Sequence, residues 1–135
     1  MDKSKPPTTF GVFKPTGHTL MAFHTHEELR TAMTELARRG FAGSAMVQYS
    51  AEEMRQQADA QLAAPSPMAN FGYEIDLLRA HRALAQEGCD FLIVKTPSQA
   101  HADTISAMLQ QMKPAAAQHY GRFLIQDLTE SPPVQ

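Results

Sequence analysis

Two histidines separated by one residue, His24 and His26, are the most suggestive pair of chemical groups in the sequence. On an extended backbone this spacing puts both imidazoles on the same side, within reach of one metal ion. Thr25 lies between them at the predicted start of a helix, and a helical turn would make the two rings diverge. An exposed pair at a strand–helix junction is therefore the alternative interpretation.

The elements around this pair follow a strand–helix–strand pattern. The apolar run 19–23 predicts a strand, and Thr25 with Glu28 fits a capping box that opens a helix. Gly40 stands where a left-handed residue would end that helix, and the run 45–49 predicts a second strand. The sequence therefore predicts a βαβ unit with the histidine pair at its first junction.

The far end of the chain repeats the pattern. The run 91–94 predicts a strand, and Thr96 opens a second capping box with Pro97 at the first helical position. Pro114 ends this helix, and the segment 117–127 predicts the last strand, in which Gly121 would form a bulge. Two βαβ units in one chain of this length indicate a duplicated architecture.

This duplication predicts an α+β fold, the ferredoxin-like antiparallel sheet with strand order 4-1-3-2 and helices on one face. An insertion of two helices, at about 51–88, separates the halves; Ser50 and Glu53 form a capping box at its start. We expect a single domain at 11–128, because 135 residues rarely build a second core. Residues 1–10 and 129–135 are polar and Pro-rich, which predicts disordered tails.

Both faces of the predicted strands are apolar. In the first strand Leu20 and Ala22 oppose Met21 and Phe23, so both sides of the sheet must be buried. One pair of helices covers one side only, and the other side needs the inserted helices or a second subunit. We predict a homodimer that forms through the sheet or the insertion.

The predicted topology brings further chemical groups to the histidine pair. Since the first strand runs antiparallel to both neighbours, its end meets the beginnings of the third and fourth strands. This places His24 and His26 near Cys89 and Asp90 and, by the same reasoning, near His119, with an inserted helix above them. We predict a ligand-binding pocket formed by His24, His26, His81, His119, Tyr120 and Arg122, with His24, His26 and His119 as its metal ligands if a divalent metal binds.

The remaining composition excludes several classes of protein. A single cysteine, Cys89, rules out an internal disulfide or a multi-thiolate metal site, and its place after a helix C-terminus disfavours a reactive thiolate. A net charge of −2 provides no phosphate-binding surface, so we expect no nucleic-acid partner. The sequence contains no signal peptide and no apolar run of membrane-spanning length, which predicts a cytoplasmic protein without membrane contact.

Four segments of the chain carry a resemblance to known proteins, namely 11–18 (GVFKPTGH), 71–75 (FGYEI), 80–85 (AHRALA) and 119–125 (HYGRFLI). They resemble a set of small, uncharacterised bacterial proteins that are distantly similar to the heat-induced general stress protein family. It supports the α+β prediction and implies a stress association, but it carries no reaction and no functional residues to this chain.

These observations predict a small cytoplasmic binding or interaction module, homodimeric and stress-associated, that takes a small-molecule ligand and has no resident cofactor. No nucleotide-binding loop, catalytic triad order or metalloprotease motif occurs in the sequence. The alternative is a metal-dependent or small-molecule enzyme that uses the histidine cluster, with Arg122 binding an anionic substrate.

Overall fold

The computed structural model describes residues 3, 8, 9, 12, 13, 15–63, 72–121 and 124–129. In this part of the chain four α-helices accompany a five-stranded antiparallel sheet, which confirms the α+β class. The bounds of the elements are β1 Thr8–Thr9, β2 Val12–Phe13, β3 His18–Phe23, α1 His26–Arg38, β4 Met46–Tyr49, α2 Ala51–Ala63, α3 Gly72–Gln86, β5 Asp90–Lys95, α4 Gln99–Met112, β6 Ala116–Tyr120 and β7 Ile125–Asp127.

The predicted tails fall largely outside the described residues. Within 1–10, Lys3 pairs with Glu53, and Thr8–Thr9 forms a small antiparallel hairpin with Val12–Phe13. Of the predicted C-terminal tail the structure describes only Thr129, whose backbone N–H and hydroxyl both donate to the carboxylate of Asp127.

The sheet has the strand order β4-β5-β3-β6-β7, with every neighbouring pair antiparallel. The predicted last strand, 117–127, is wrong as a single element, because the chain reverses within it. The backbone N–H of Gly121 donates to the carbonyl of Leu124 at 2.9 Å and closes a hairpin between β6 and β7. Gly121 therefore belongs to a turn, and the sheet gains a fifth strand at its edge.

Helices cover both faces of the sheet. On the front face, Met21 and Phe23 pack against apolar residues of α1 and α4, with Leu29 and Ile105 among them. On the back face, Leu20 packs in a second cluster to which α2 and α3 contribute Met54, Ala58, Leu78 and Ala85. Helices α2 and α3 thus bury the face that we expected either helices or a second subunit to cover.

Two of the three N-terminal helix caps that the sequence predicts are present in the structure. Ser50 and Glu53 form the predicted reciprocal box at the start of α2, at 3.0 and 3.1 Å, and the hydroxyl of Thr25 accepts from the N–H of Glu28. The predicted cap at Thr96 is wrong. Helix α4 begins at Gln99 and is capped by Ser98, because the Thr96 hydroxyl is buried in other hydrogen bonds.

Candidate functional site

The predicted histidine pair lies where β3 ends and α1 begins, beside the start of β5. Phe23 is the register partner of Asp90, so the residues that follow β3 meet those that open β5, as the topology predicts. The Nδ1 atom of His26 lies 3.0 Å from Oδ2 of Asp90. The Nδ1 atom of His24 lies 3.7 Å from the sulfur of Cys89, so each histidine contacts a different residue.

Cys89 is fully buried between the end of α3 and the start of β5. Burial raises the pKa of its thiol, and the negative charges of Glu87, Asp90 and Glu28 raise it further. A thiol reacts through its thiolate form, which this environment disfavours. The contact with His24 therefore does not make Cys89 a nucleophile.

His119 lies at the other end of the sheet. It pairs in register with Thr19, near the beginning of β3, whereas His24 follows the end of that strand. Five residues of strand separate the two positions, a distance of about 16 Å at the usual rise of an extended chain. The expected approach of His119 to the pair is therefore wrong, because only the first residues of β6 face the end of β3.

His119 instead belongs to a buried polar cluster on the front face. Its Nδ1 atom lies 3.1 Å from the hydroxyl oxygens of both Thr19 and Thr96, and these two oxygens are 2.8 Å apart. Both threonines are fully buried, and the histidine is 5% exposed. Burial lowers the pKa of His119, and the negative charge of Asp103 partly opposes this shift.

His81 lies on the back face, beneath α3. Its Nε2 atom donates to the amide oxygen of Gln118 at 2.8 Å, and its ring meets Phe91 edge-on with centroids 6.1 Å apart. Burial lowers the pKa of His81, while the hydrogen bond to Gln118 opposes the shift. This imidazole is a neutral core residue, and it lies on the opposite face of the sheet from His119.

The six predicted ligand-binding residues therefore do not form one pocket. Tyr120 is buried within the back-face cluster, and Arg122 lies outside the described residues. Among the residues that the structure describes, no group of three or more His, Cys, Asp or Glu side chains is arranged to hold a metal ion. The metal set of His24, His26 and His119 is wrong for the same reason as the pocket.

A surface groove starts at His26 and runs between α1 and the edge strand β4. Its volume is about 510 Å³, within the range of small-molecule sites. Helix α1 forms one wall, because positions three and four residues apart share a helix face. The lining consists of His26, Arg30, Met33, Thr34, Ala37, Gly43, Met46 and Gln48.

A smaller depression of about 190 Å³ adjoins the groove at its His26 end, and the two share His26 and Gln48. Lys3 lies in it, 3.0 Å from a carboxylate oxygen of Glu53 and 4.9 Å above the ring centre of Tyr49. Its acidic groups, Glu53 and Asp90, thus each have a basic neighbour.

Arg30 and Gln48 are groove residues that the sequence analysis missed. Arg30 follows His26 by four residues in a predicted helix, so the spacing already placed both on one face. Gln48 belongs to the predicted second strand, but nothing in its type marks it as a site residue. The partners of His119, Thr19 and Thr96, were missed because Thr96 fitted a capping box so well.

Fold and groove together define a small α+β protein with an open surface groove between α1 and β4. No family model, curated protein or solved structure matches the chain. Within the described residues no helix is long and apolar enough to cross a membrane.

Proposed function

We propose that the protein is a binding module whose groove between α1 and β4 takes a small ligand with one anionic group and a short apolar part. Arg30 carries this proposal. Of the six arginines that the structure describes, five pair with a carboxylate of their own chain, namely Arg38, Arg39, Arg55, Arg79 and Arg82. Arg30 has no such partner there and lines the groove.

The groove chemistry fits a ligand of this kind. The guanidinium of Arg30 offers paired donors that match a carboxylate or phosphate, and His26 lies one helical turn away. Met33 and Met46 supply flexible apolar contacts that adapt to an aliphatic chain. Thr34 and Gln48 add neutral polar groups, and the described residues of the lining include no carboxylate, the nearest described one to His26 being Asp90.

The proposal includes a fold assignment. We infer that β3, β4, β5 and β6 are the four strands of a ferredoxin-like unit whose halves are separated by the inserted helices α2 and α3. The order β4-β5-β3-β6 supports this assignment, as does the position of α1 and α4 on the same face. In this arrangement β7 is an additional edge strand.

Octanoate is a suitable first probe, because it combines one carboxylate with a short chain, and 1-octanol is its uncharged counterpart. We expect octanoate to shift the amide NMR signals of groove residues more strongly than 1-octanol does. Arg30→Gln should weaken octanoate binding about tenfold, since a charge-assisted hydrogen bond contributes about 1.5 kcal/mol or more. The variant should leave the weak binding of 1-octanol unchanged.

Arg38→Gln is the matched control, because Arg38 lies on the same helix but pairs with Glu35 outside the groove. It should bind octanoate like the unmodified protein. Equal binding by the Arg30 and Arg38 variants, or octanoate shifts confined to residues outside the groove, would contradict the proposal.

A further inference from the structure

The outer side of β4 has no strand partner in the described part of the chain. Strand β4 stands at one end of the sheet, and no described residue pairs with Met46, Val47 or Gln48 on the side away from β5. In an antiparallel strand alternate residues direct their N–H and C=O groups outward, so this edge offers hydrogen-bonding groups to another strand.

This edge also lacks the usual protection against pairing. Natural edge strands carry lysine or another charge, proline or a bulge, each of which discourages a second strand. Residues 46–48 are Met, Val and Gln, and they pair with β5 in unbroken register. The opposite edge differs, because β7 includes the charged Asp127.

We propose that a second copy of the chain pairs its β4 antiparallel with this edge across a two-fold axis near Val47. The two sheets would then form one continuous sheet of ten strands. Because helices cover both faces of the sheet in the described part of the chain, a second copy can pair only at an edge, and the β4 edge is the one without a charged strand residue. The inference gives the homodimer a defined interface.

Pairing would complete the ligand site. Each groove has a wall from α1 and a floor from β4, but its outer side is open to the edge. Helix α1 packs over β3 and β5, so two copies joined at β4 would hold their α1 helices about four strand spacings apart, about 19 Å. Helices of about 10 Å diameter then leave a cleft about 9 Å wide.

The charges of the groove favour a second copy in this orientation. Arg30, the charged residue of the described lining, lies with His26 toward the Gln48 end, and Ala37, Gly43 and Met46 lie at the other end. Antiparallel pairing brings the cationic end of one groove beside the neutral end of the other. Like charges are thereby kept apart, whereas a parallel arrangement would place them together.

Sedimentation equilibrium without ligand tests the dimer, over protein concentrations from about 1 to 100 µM. We expect a monomer–dimer equilibrium that Gln48→Lys weakens at least tenfold, because lysine at an edge opposes strand pairing. Gln111→Lys introduces the same charge on the exposed surface of α4 and should leave the equilibrium unchanged. A thermal melt of each variant verifies that it is folded.

Hydrogen exchange identifies the interface. The amides of 46–48 that point away from β5 should gain protection as protein concentration rises, and Gln48→Lys should remove that gain. A monomer at all concentrations, protection that does not depend on concentration, or a dimer that Gln48→Lys leaves intact would each overturn the inference. Concentration-independent protection would indicate that another segment of the same chain covers the edge.

The cleft rests on the proposed function, but the two can fail separately. In one outcome, the unmodified protein forms a dimer that Gln48→Lys weakens, but it does not bind octanoate. This outcome would support the interface and contradict the ligand proposal. In the other outcome, the protein binds octanoate but stays monomeric. This outcome would support the ligand proposal and contradict the interface.

Discussion

Thr19 and His119 face each other across β3 and β6, with the threonine hydroxyl 3.1 Å from Nδ1 of the imidazole. The hydroxyl of Thr96, one residue after β5, lies within hydrogen-bond distance of both groups. Two hydroxyl hydrogens serve this cluster when Nδ1 is unprotonated: one goes to the imidazole and the other to the neighbouring oxygen. A proton on Nδ1 would turn the acceptor into a third donor and leave one hydroxyl hydrogen without an acceptor in the cluster.

This geometry predicts that the folded protein loses stability in mild acid. Burial lowers the pKa values of His119 and His81, so both stay neutral in the folded state at pH values where the unfolded chain binds protons. Above about pH 6.5 neither state is protonated and there is no effect. Below it, the free energy of unfolding should fall by up to about 1.4 kcal/mol per pH unit for each histidine. Urea unfolding at a series of pH values measures this.

Two substitutions assign the pH dependence to these residues. His119→Asn keeps an acceptor near the position of Nδ1 but cannot titrate, so it should reduce the dependence on pH to the part that His81 contributes. His101→Asn, an exposed position on α4, should not. If both variants keep the full slope, the buried cluster is not its source.

The hydroxyl of Thr96 should contribute more to the free energy of unfolding than an exposed hydroxyl at the start of a helix would. Thr96→Val keeps the shape but deletes the buried hydroxyl that lies within hydrogen-bond distance of both Thr19 and His119. We expect a loss of about 1–3 kcal/mol in the free energy of unfolding. Thr104→Val on α4, whose hydroxyl bonds only a helix carbonyl, should change it by less than about 0.5 kcal/mol.

Local patterns predicted the elements well because they depend on neighbours in the chain. The apolar runs located β3 and β5, and the box of Ser50 and Glu53 located α2. The same reasoning misplaced the α4 cap, because Thr96 and Ser98 both suit that role. Only the tertiary partner of Thr96, a hydroxyl 77 residues away in sequence, decides between them.

The sequence predicted the candidate groove only at the end where His26 lies. His26 was placed correctly beside Asp90, since strand polarity alone brings these two segments together. His119 was misplaced because its position depends on the register of β6, which the sequence pattern does not determine to within three residues. His81 was misplaced because a helical pattern does not show which face of the sheet an inserted helix will cover.

The capping box at α2 predicts a measurable loss when its serine is removed. Ser50→Ala deletes the oxygen that accepts from the N–H of Glu53 and should lower the free energy of unfolding by about 1 kcal/mol. Ser44→Ala, in the exposed turn before β4, makes the same chemical change without removing a helix cap and should have little effect. Equal losses in the two variants would contradict the cap.

The buried thiol makes a prediction that separates a binding module from a cysteine-dependent enzyme. Because Cys89 is fully buried and the pKa of its thiol is raised, we expect a disulfide reagent to label the native protein at pH 8 at least about a hundredfold more slowly than the unfolded chain. His24→Ala should not slow the native reaction further, since the histidine does not activate the sulfur. Rapid native labelling that depends on His24 would show that the 3.7 Å contact is a reactive pair, and the catalytic alternative would gain support.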